Sequence, residues 1–265
     1  MGGLCGKKRS GVNTPVNRFF IKPSQIQNRW ATITGTDVNH ITRVLRMTKG
    51  DRVLLLDGAG SVFLAEIEKA SRDAVTCLII ERLPVADGPS VRITLIQGIP
   101  KGEKMELIVQ KGTEIGVCRF VPLVCERSLV RLDGEKALRK RERWQRVAAE
   151  AAKQCRRADI PEVAAPANWE EVLGSLAPET VALIPWEEEC QRTLKTFLRE
   201  NSPGPEQEVT IFIGPEGGFA ETEVARARER GVAPLSLGPR ILRTETAGLI
   251  VSALVLFQWG DLGGQ

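Results

Sequence analysis

Two short segments hold the residue types from which chemistry is built. The first is Ile213-Gly214-Pro215-Glu216-Gly217-Gly218-Phe219. Its glycines let the backbone take positive φ and approach a ligand closely, with a carboxylate set among them. A helix predicted to open at Glu221 would turn its free N-terminal amides toward the same space. The second is Leu237-Gly238-Pro239-Arg240-Ile241-Leu242-Arg243-Thr244-Glu245-Thr246-Ala247, which sets two guanidiniums just ahead of a helix. Thr244 suits the N-cap there, and Glu245 in the first turn suits the helix dipole. Taken singly, the first segment also reads as an ordinary tight turn and the second as a solvated arginine pair. Neither G-x-G-x-x-G nor G-x-x-x-x-G-K-[ST] occurs, so the familiar dinucleotide and P-loop sites are not supported.

The elements around these segments follow from periodicity. From Val16 to about Arg82, short β-type runs (Asn17–Ile21, Trp30–Ile33, Arg52–Leu56, Ser61–Glu68, Ala74–Ile80) alternate with turn residues. One helical stretch, 37–46, carries Val38, Ile41, Val44 and Leu45 at helical spacing. Several strands and one helix predict a small barrel. Pro84–Pro89 has linker composition. Beyond it strands and helices alternate: 91–97 then 104–115, 120–124 then 135–157, 181–185 then 190–200, 209–213 then 221–230, and 235–237 then 245–259. That rhythm predicts an α/β domain with buried, largely parallel strands, whose ligands sit beyond the carboxyl ends of the strands. Both segments fall there.

Composition narrows the class. With 265 residues, 42% hydrophobic and 26% charged, the chain suits one or two ordinary globular domains. Its longest apolar stretch, Ala247 to Trp259, is short of the ~20 residues a membrane-spanning helix needs. The start shows no signal-peptide pattern, so a cytoplasmic protein is expected. Residues 1–15, glycine-rich and basic, are expected to be a flexible extension. Six cysteines without a C-x-x-C pair and a single histidine, His40, argue for reduced thiols and against a metal site. A net charge of +4 is modest, so clustering of basic residues matters more than the total.

Together the two segments resemble one family, the ribosomal small-subunit RNA uridine-N3 methyltransferases of the knotted SPOUT class. The resemblance extends to Arg18-Phe19-Phe20, to His40 with Val44-Leu45-Arg46, and to Gln110-Lys111-Gly112-Thr113-Glu114-Ile115-Gly116-Val117. It continues through Pro122, Glu126-Arg127-Ser128, Glu150-Ala151-Ala152-Lys153-Gln154-Cys155-Arg156 and Ile160-Pro161, covering roughly residues 16 to 258. Gly112 stands where alanine is expected, and Ala220 where a serine cap is commoner. The resemblance implies an N-terminal PUA-like β-barrel over 16–84. It also implies a C-terminal SPOUT α/β domain over 90–260, a parallel sheet with a deep trefoil knot. It further implies S-adenosylmethionine as methyl donor and a homodimer with the active site near the subunit interface. The substrate it implies is N3 of one uridine of 16S rRNA near the decoding site, in the 30S subunit.

Residue roles follow from that chemistry. Cofactor contacts are expected from Ile184, Gly214, Pro215, Glu216, Gly217, Gly218, Leu235, Leu237, Gly238, Arg240, Ile241, Leu242 and Thr244. Arg243 or Arg240 can stabilise charge on the uracil oxygens. Glu216 is either a base or a loop-structuring acceptor. RNA contacts are expected from Arg18, His40, Arg46, Lys101, Arg127, Arg139, Arg143, Arg146 and Arg156, with 136–146 a basic helix face anchored by Leu138, Trp144, Val147, Ala148, Ala151 and Ala152. His40 reads as a packed barrel residue rather than an acid–base group, and Phe19 or Phe20 as a base-stacking group or core. Leu249, Ile250, Ala253, Leu254 and Phe257 form an apolar helix for a partner subunit or for the core. Two other functions stay open: methylation of tRNA or of a ribose 2′-hydroxyl, and a non-catalytic RNA-binding factor.

Overall fold

The structure, a computed structural model, describes residues 16–84, 91–128, 134–204 and 207–264. The expected extension 1–15 and most of the linker lie outside the described residues. The chain divides into two compact units after Pro84.

In the first unit the strands are β1 (Asn17–Phe20), β2 (Ile26–Gln27), β3 (Trp30–Thr34), β4 (Arg52–Leu56), β5 (Val62–Ala70) and β6 (Ala74–Leu83). They form one sheet in the order β1-β4-β5-β6-β3-β2, antiparallel except for β1 against β4. Register shifts at Leu64/Ala65 and Ile67/Lys69 bend the β5–β6 ladder, as bulges do. Alternate positions such as Val53, Leu55, Ala65, Ile67, Val75 and Cys77 point inward, where α1 (Thr36–Asn39) adds Val38. The predicted helix over 37–46 is shorter in α form. After α1 the chain loosens to a π turn over His40–Val44, then takes φ +53° at Arg46. Burial drives the thiol of Cys77 up to about 11.

The second unit has β7 (Val91–Gly98), β8 (Arg119–Leu123), β9 (Glu162–Val163), β10 (Val181–Pro185), β11 (Gln207–Ile213) and β12 (Ala233–Leu235). All pair in parallel, in the order β12-β10-β11-β7-β8-β9. Its helices are α2 (Lys104–Ile115), α3 (Gly134–Cys155), α4 (Trp169–Gly174), α5 (Leu194–Glu200), α6 (Glu221–Glu229) and α7 (Thr244–Trp259). Strand periodicity sends Ile93, Leu95, Leu183, Ile211 and Ile213 to one face, against α2, α3, α5 and α7. It sends Ile96, Leu123, Ile184 and Phe212 to the other, against α4 and α6. The result is the three-layer arrangement that two-faced burial of parallel strands requires.

Two expected bounds change. The helix predicted over 190–200 starts only at Leu194, because the Glu189 carboxylate holds the amides of Gln191 and Arg192 and Thr193 caps the helix through Thr196 N–H. The last strand is Ala233–Leu235 rather than 235–237, set by its pairing with 183–185. Gly112 is explained by its neighbour: a Cβ there would sit 2.7 Å from the Phe120 ring. The missing serine cap at Ala220 is offset by Glu223, whose carboxylate accepts from the Ala220 amide at 2.8 Å. That buried carboxylate also accepts from Glu126 N–H and from the Trp169 indole.

Candidate cofactor cleft and RNA-facing surfaces

At the carboxyl ends of β10, β11 and β12 three chain segments enclose a cleft of about 600 Å³. Pro185, Trp186 and Glu187 follow β10; the Ile213–Phe219 loop follows β11; and Ser236 to Glu245, with Ala247, leads from β12 into α7. Lys104 of α2 completes the wall. Ligands collect at such strand ends because the loops there converge while the sheet behind them is packed.

Of the expected cofactor residues, Gly214, Pro215, Glu216, Gly218, Leu237, Gly238, Arg240, Ile241, Leu242 and Thr244 line this cleft, as does Arg243. Ile184 and Leu235 do not. Both are wholly buried, Ile184 in the core under α4 and α6 and Leu235 in the opposite one. Gly217 does not line it either; a Cβ there would meet Arg127 Cβ at 3.2 Å, and its carbonyl accepts from Arg127 Nη1. Gly218 has φ +66°, a conformation that only glycine adopts without strain.

Hydrogen bonds hold the two segments together. The Thr244 hydroxyl donates to the Gly214 carbonyl at 2.6 Å and accepts from Gln97 Nε2 at 2.8 Å. Thr244 is therefore the first helical residue, with Arg243 at the N-cap, and its hydroxyl bridges loops instead of capping. Beneath the loop, a Cβ on Gly98 would lie 2.6 Å from the ring and nitrogen of Pro215, so the absence of a side chain permits the crossing.

Glu216 is held as an acceptor. Its carboxylate takes the Lys104 ammonium at 2.9 Å and the Lys101 amide at 3.1 Å. Burial alone would raise its pKa, but the Lys104 hydrogen bond, the backbone amides and the Lys104 charge outweigh it, and the net shift is downward. The hydrogen bond to Glu216 in turn raises Lys104. A carboxylate so stabilised is a weak base, which favours the structural of the two roles open to it. Arg243, by contrast, leaves 83% of its side chain exposed at the cleft mouth, with the Glu245 carboxylate at 3.9 Å. Arg240 is exposed beside it.

Sequence reasoning missed Gln97, Trp186 and Glu187; it read Lys104 as a basic residue that could extend the RNA footprint and Glu245 as a helix-start carboxylate, and the structure sets both in the cleft wall. Trp186 and Glu187 follow a predicted strand, so the strand-end rule could have found them. Lys104 and Gln97 reach their partners across more than 100 residues of chain, and no local signal marks those pairings.

Among the expected RNA contacts, Arg18, His40 and Arg46 are exposed in the first unit. His40 stands edge-on to Phe19 at 6.3 Å but is not packed inside; Phe19 fills the core and Phe20 is half-buried. The same unit carries a groove of about 700 Å³ between the 39–49 segment and the 68–72 turn. Arg43, Lys49, Lys69 and Arg72 line it, and Lys49 pairs with Glu68. In the second unit Lys101, Arg127 and Arg156 are exposed, Arg156 with φ +64° beyond α3. The basic face of α3 is partly neutralised. Arg139 pairs with Glu135 at 2.6 Å, Arg143 pairs with Glu106 and Glu103, and Arg146 turns to the Glu142 carbonyl. Leu138, expected as an anchor, is exposed, whereas Trp144, Ala148, Ala151 and Ala152 are buried.

Comparison with known proteins agrees with this layout. A family model described as RNA methyltransferase domain matches residues 87–256, and one described as RNA methyltransferase PUA domain matches residues 33–80. Ribosomal RNA small subunit methyltransferase E of Bacillus subtilis (strain 168) is 37% identical over 254 residues, 94% of this chain and 99% of the relative. Ribosomal RNA small subunit methyltransferase E of Neisseria gonorrhoeae, solved bound to S-adenosyl methionine, superposes with TM-score 0.79 at 31% identity, covering 93% of this chain and 99% of that one. A putative methyltransferase of Legionella pneumophila, solved in complex with SAM, gives 0.80 at 32% identity over 94% and 100%. On these matches the chain belongs to the RNA methyltransferase family of ribosomal RNA small subunit methyltransferase E.

Proposed function

We propose that this protein transfers a methyl group from S-adenosylmethionine to N3 of one uridine of 16S rRNA, near the decoding site of the 30S subunit. The observation that carries the reading is the cleft itself, with two loops of closely approaching backbone and two exposed guanidiniums at its mouth. The lining fits the donor. Trp186, Leu237 and Leu242 offer apolar surface for a flat base, loop amides and carbonyls offer hydrogen bonds, and the carboxylates of Glu187 and Glu245 complement positive charge. When bound, S-adenosylmethionine supplies the methyl group on a sulfonium that leaves as a neutral thioether.

The chain's own residues then have the uracil to manage. N3 must lose its imide proton, which passes to solvent water as the new N–C bond forms, and the negative charge it leaves is shared with O2 and O4. Arg243, with Arg240 beside it, donates to those oxygens, which lowers the cost of releasing the proton. Glu216 holds the loop through Lys104 and Lys101 and is not needed as the base. Since the reaction is a direct displacement, alignment contributes much of the rate.

The wider architecture is proposed with it: a PUA-like barrel over 16–84 and a SPOUT domain with a trefoil knot over 90–260, working in the cytoplasm as a homodimer. Ile250, Leu254 and Phe257 form an exposed stripe along α7 that a second copy would cover, and Ile241 in the cleft loop is 85% exposed. RNA would follow the basic groove lined by Arg43, Lys69 and Arg72 and the surfaces around Arg18, His40, Lys101, Arg127 and Arg156. The test is methylation of 30S subunits by the purified protein, with the product nucleoside identified by mass spectrometry. N3-methyluridine in 16S rRNA is expected. A 2′-O-methylated product, or donor binding without methyl transfer, would overturn the reading.

A further inference from the structure

We infer that Gln97 is a positioning residue for the cofactor cleft, acting through Thr244 on the carbonyl of Gly214; this rests on the reading that the cleft takes S-adenosylmethionine. Gln97 is the penultimate residue of β7 and is wholly buried. Its Nε2 donates to Thr244 Oγ1 at 2.8 Å and to the Gly98 carbonyl at 3.1 Å. The direction of the relay is fixed by its members. A threonine hydroxyl has one hydrogen, and here it goes to the Gly214 carbonyl, so Oγ1 must accept from Gln97. Turning the amide over would set two acceptors against each other.

The relay grips one peptide plane. The Gly214 carbonyl is held from one side by Thr244, and Pro215, on the other end of that peptide, lies against the bare Cα of Gly98. The dipeptide Gln97-Gly98 thus sets where the β11 loop leaves its strand and, through Thr244, where α7 begins. Those are the two segments that form most of the cleft wall.

Stability alone does not account for an amide here. Gln97 Oε1 is buried with no hydrogen-bond partner among the described residues. An unpaired buried acceptor costs free energy, and methionine would fill the same volume without it. The two bonds from Nε2 largely offset that cost, so the amide adds little stability on balance, which is the pattern of a residue retained for the geometry of a site.

The test compares Gln97→Met, Thr244→Val, Thr244→Ser and the double variant Gln97→Met/Thr244→Val. Affinity for S-adenosylmethionine is measured by calorimetry, unfolding by urea, and methylation of 30S subunits by steady-state kinetics. Gln97→Met is expected to weaken donor binding about 5- to 10-fold, the weight of one or two buried neutral hydrogen bonds, while its urea midpoint stays near that of the parent. The donor KM should rise by the same factor, with kcat at saturating donor within about threefold. Thr244→Val should lose a similar factor, Thr244→Ser should recover most of it, and the double variant should be no worse than Thr244→Val. Unchanged affinity in Gln97→Met overturns the proposal, as do independent, multiplying losses in the double variant. If Gln97→Met does not fold, the Thr244→Val and Thr244→Ser pair decides, and failure of serine to recover binding overturns it. Absence of donor binding in the parent protein would instead remove the reading of the cleft.

Discussion

Glu216 and Lys104, 112 residues apart in sequence, meet at 2.9 Å and fasten the glycine-rich loop to the start of α2. The same carboxylate takes the Lys101 amide, so one side chain bridges the loop after β11 and the loop after β7. This pair is partly exposed, so solvent screening keeps its contribution small. Glu216→Gln keeps an acceptor for Lys101 and loses the charge. Donor affinity is expected to fall about two- to fivefold, with kcat little changed. Loss of a general base would instead cost ~10²–10⁴ in rate. Single-turnover methylation with saturating donor distinguishes the two.

The pH dependence of that latch has a definite sign. The Glu216 pKa is lowered in the folded protein, so its contribution is complete above the unfolded carboxylate value of about 4.3 and is lost as pH falls through the lower folded one. The Lys104 pKa is raised, so its contribution is complete below about 10.4 and is lost only at higher pH. Donor affinity should therefore be flat from about pH 5 to 9 as far as this pair is concerned. A midpoint near neutrality that disappears in Glu216→Gln would contradict the assignment.

The role proposed for Arg243 needs an accessible guanidinium, and its side chain is 83% exposed with the Glu245 carboxylate at 3.9 Å. Arg243→Lys should keep donor binding and lose about 100- to 1,000-fold in single-turnover rate on 30S subunits, the usual effect of removing one such donor. Near-parental rates in both Arg243→Lys and Arg240→Lys would exclude guanidinium stabilisation of the uracil charge.

RNA affinity should respond more to the first unit than to α3. Arg43, Lys69 and Arg72 line the groove, whereas Arg139 and Arg143 already hold carboxylates. Changing the first three to alanine is expected to lower the log–log salt slope by roughly 2 to 2.7. The Arg139/Arg143/Arg146 triple variant should lower it less. Equal slopes for parent and groove variant, measured by filter binding over a salt series, would remove the groove from the RNA path.

Gly112→Ala tests packing around the departure from the family pattern. Alanine gains up to about 1 kcal/mol of helix propensity, but its Cβ would sit 2.7 Å from the Phe120 ring, and overpacking costs about 1–3 kcal/mol. A net loss of about 1 kcal/mol is expected in urea unfolding. Phe120→Leu should be less harmful in the Gly112→Ala background than alone. Additive losses in the double variant would show that the ring does not require the glycine.

Most elements, and the residue types that line the cleft, can be read from local sequence. Arg52–Leu56, Lys104–Ile115 and Val181–Pro185 stand where periodicity predicted them, because each buries a face whose spacing is written locally. The glycine loop and the Arg240–Arg243 segment were legible for the same reason: a close backbone approach and a pair of guanidiniums are local properties. Where local signals competed, the reading slipped. Gly217 looked like its neighbours, but it backs onto Arg127; Ile184 and Leu235 stood near the loops, but strand alternation turns them into the two cores. The charge on α3 looked available until Glu103 and Glu106 arrived from another helix and its approach. That Gln97 grips Thr244 and that Lys104 holds Glu216 follows from packing between distant segments. Such contacts depend on which strands lie side by side, and the order β11-β7 is set by the burial of both sheet faces over the whole unit rather than by any short stretch of chain.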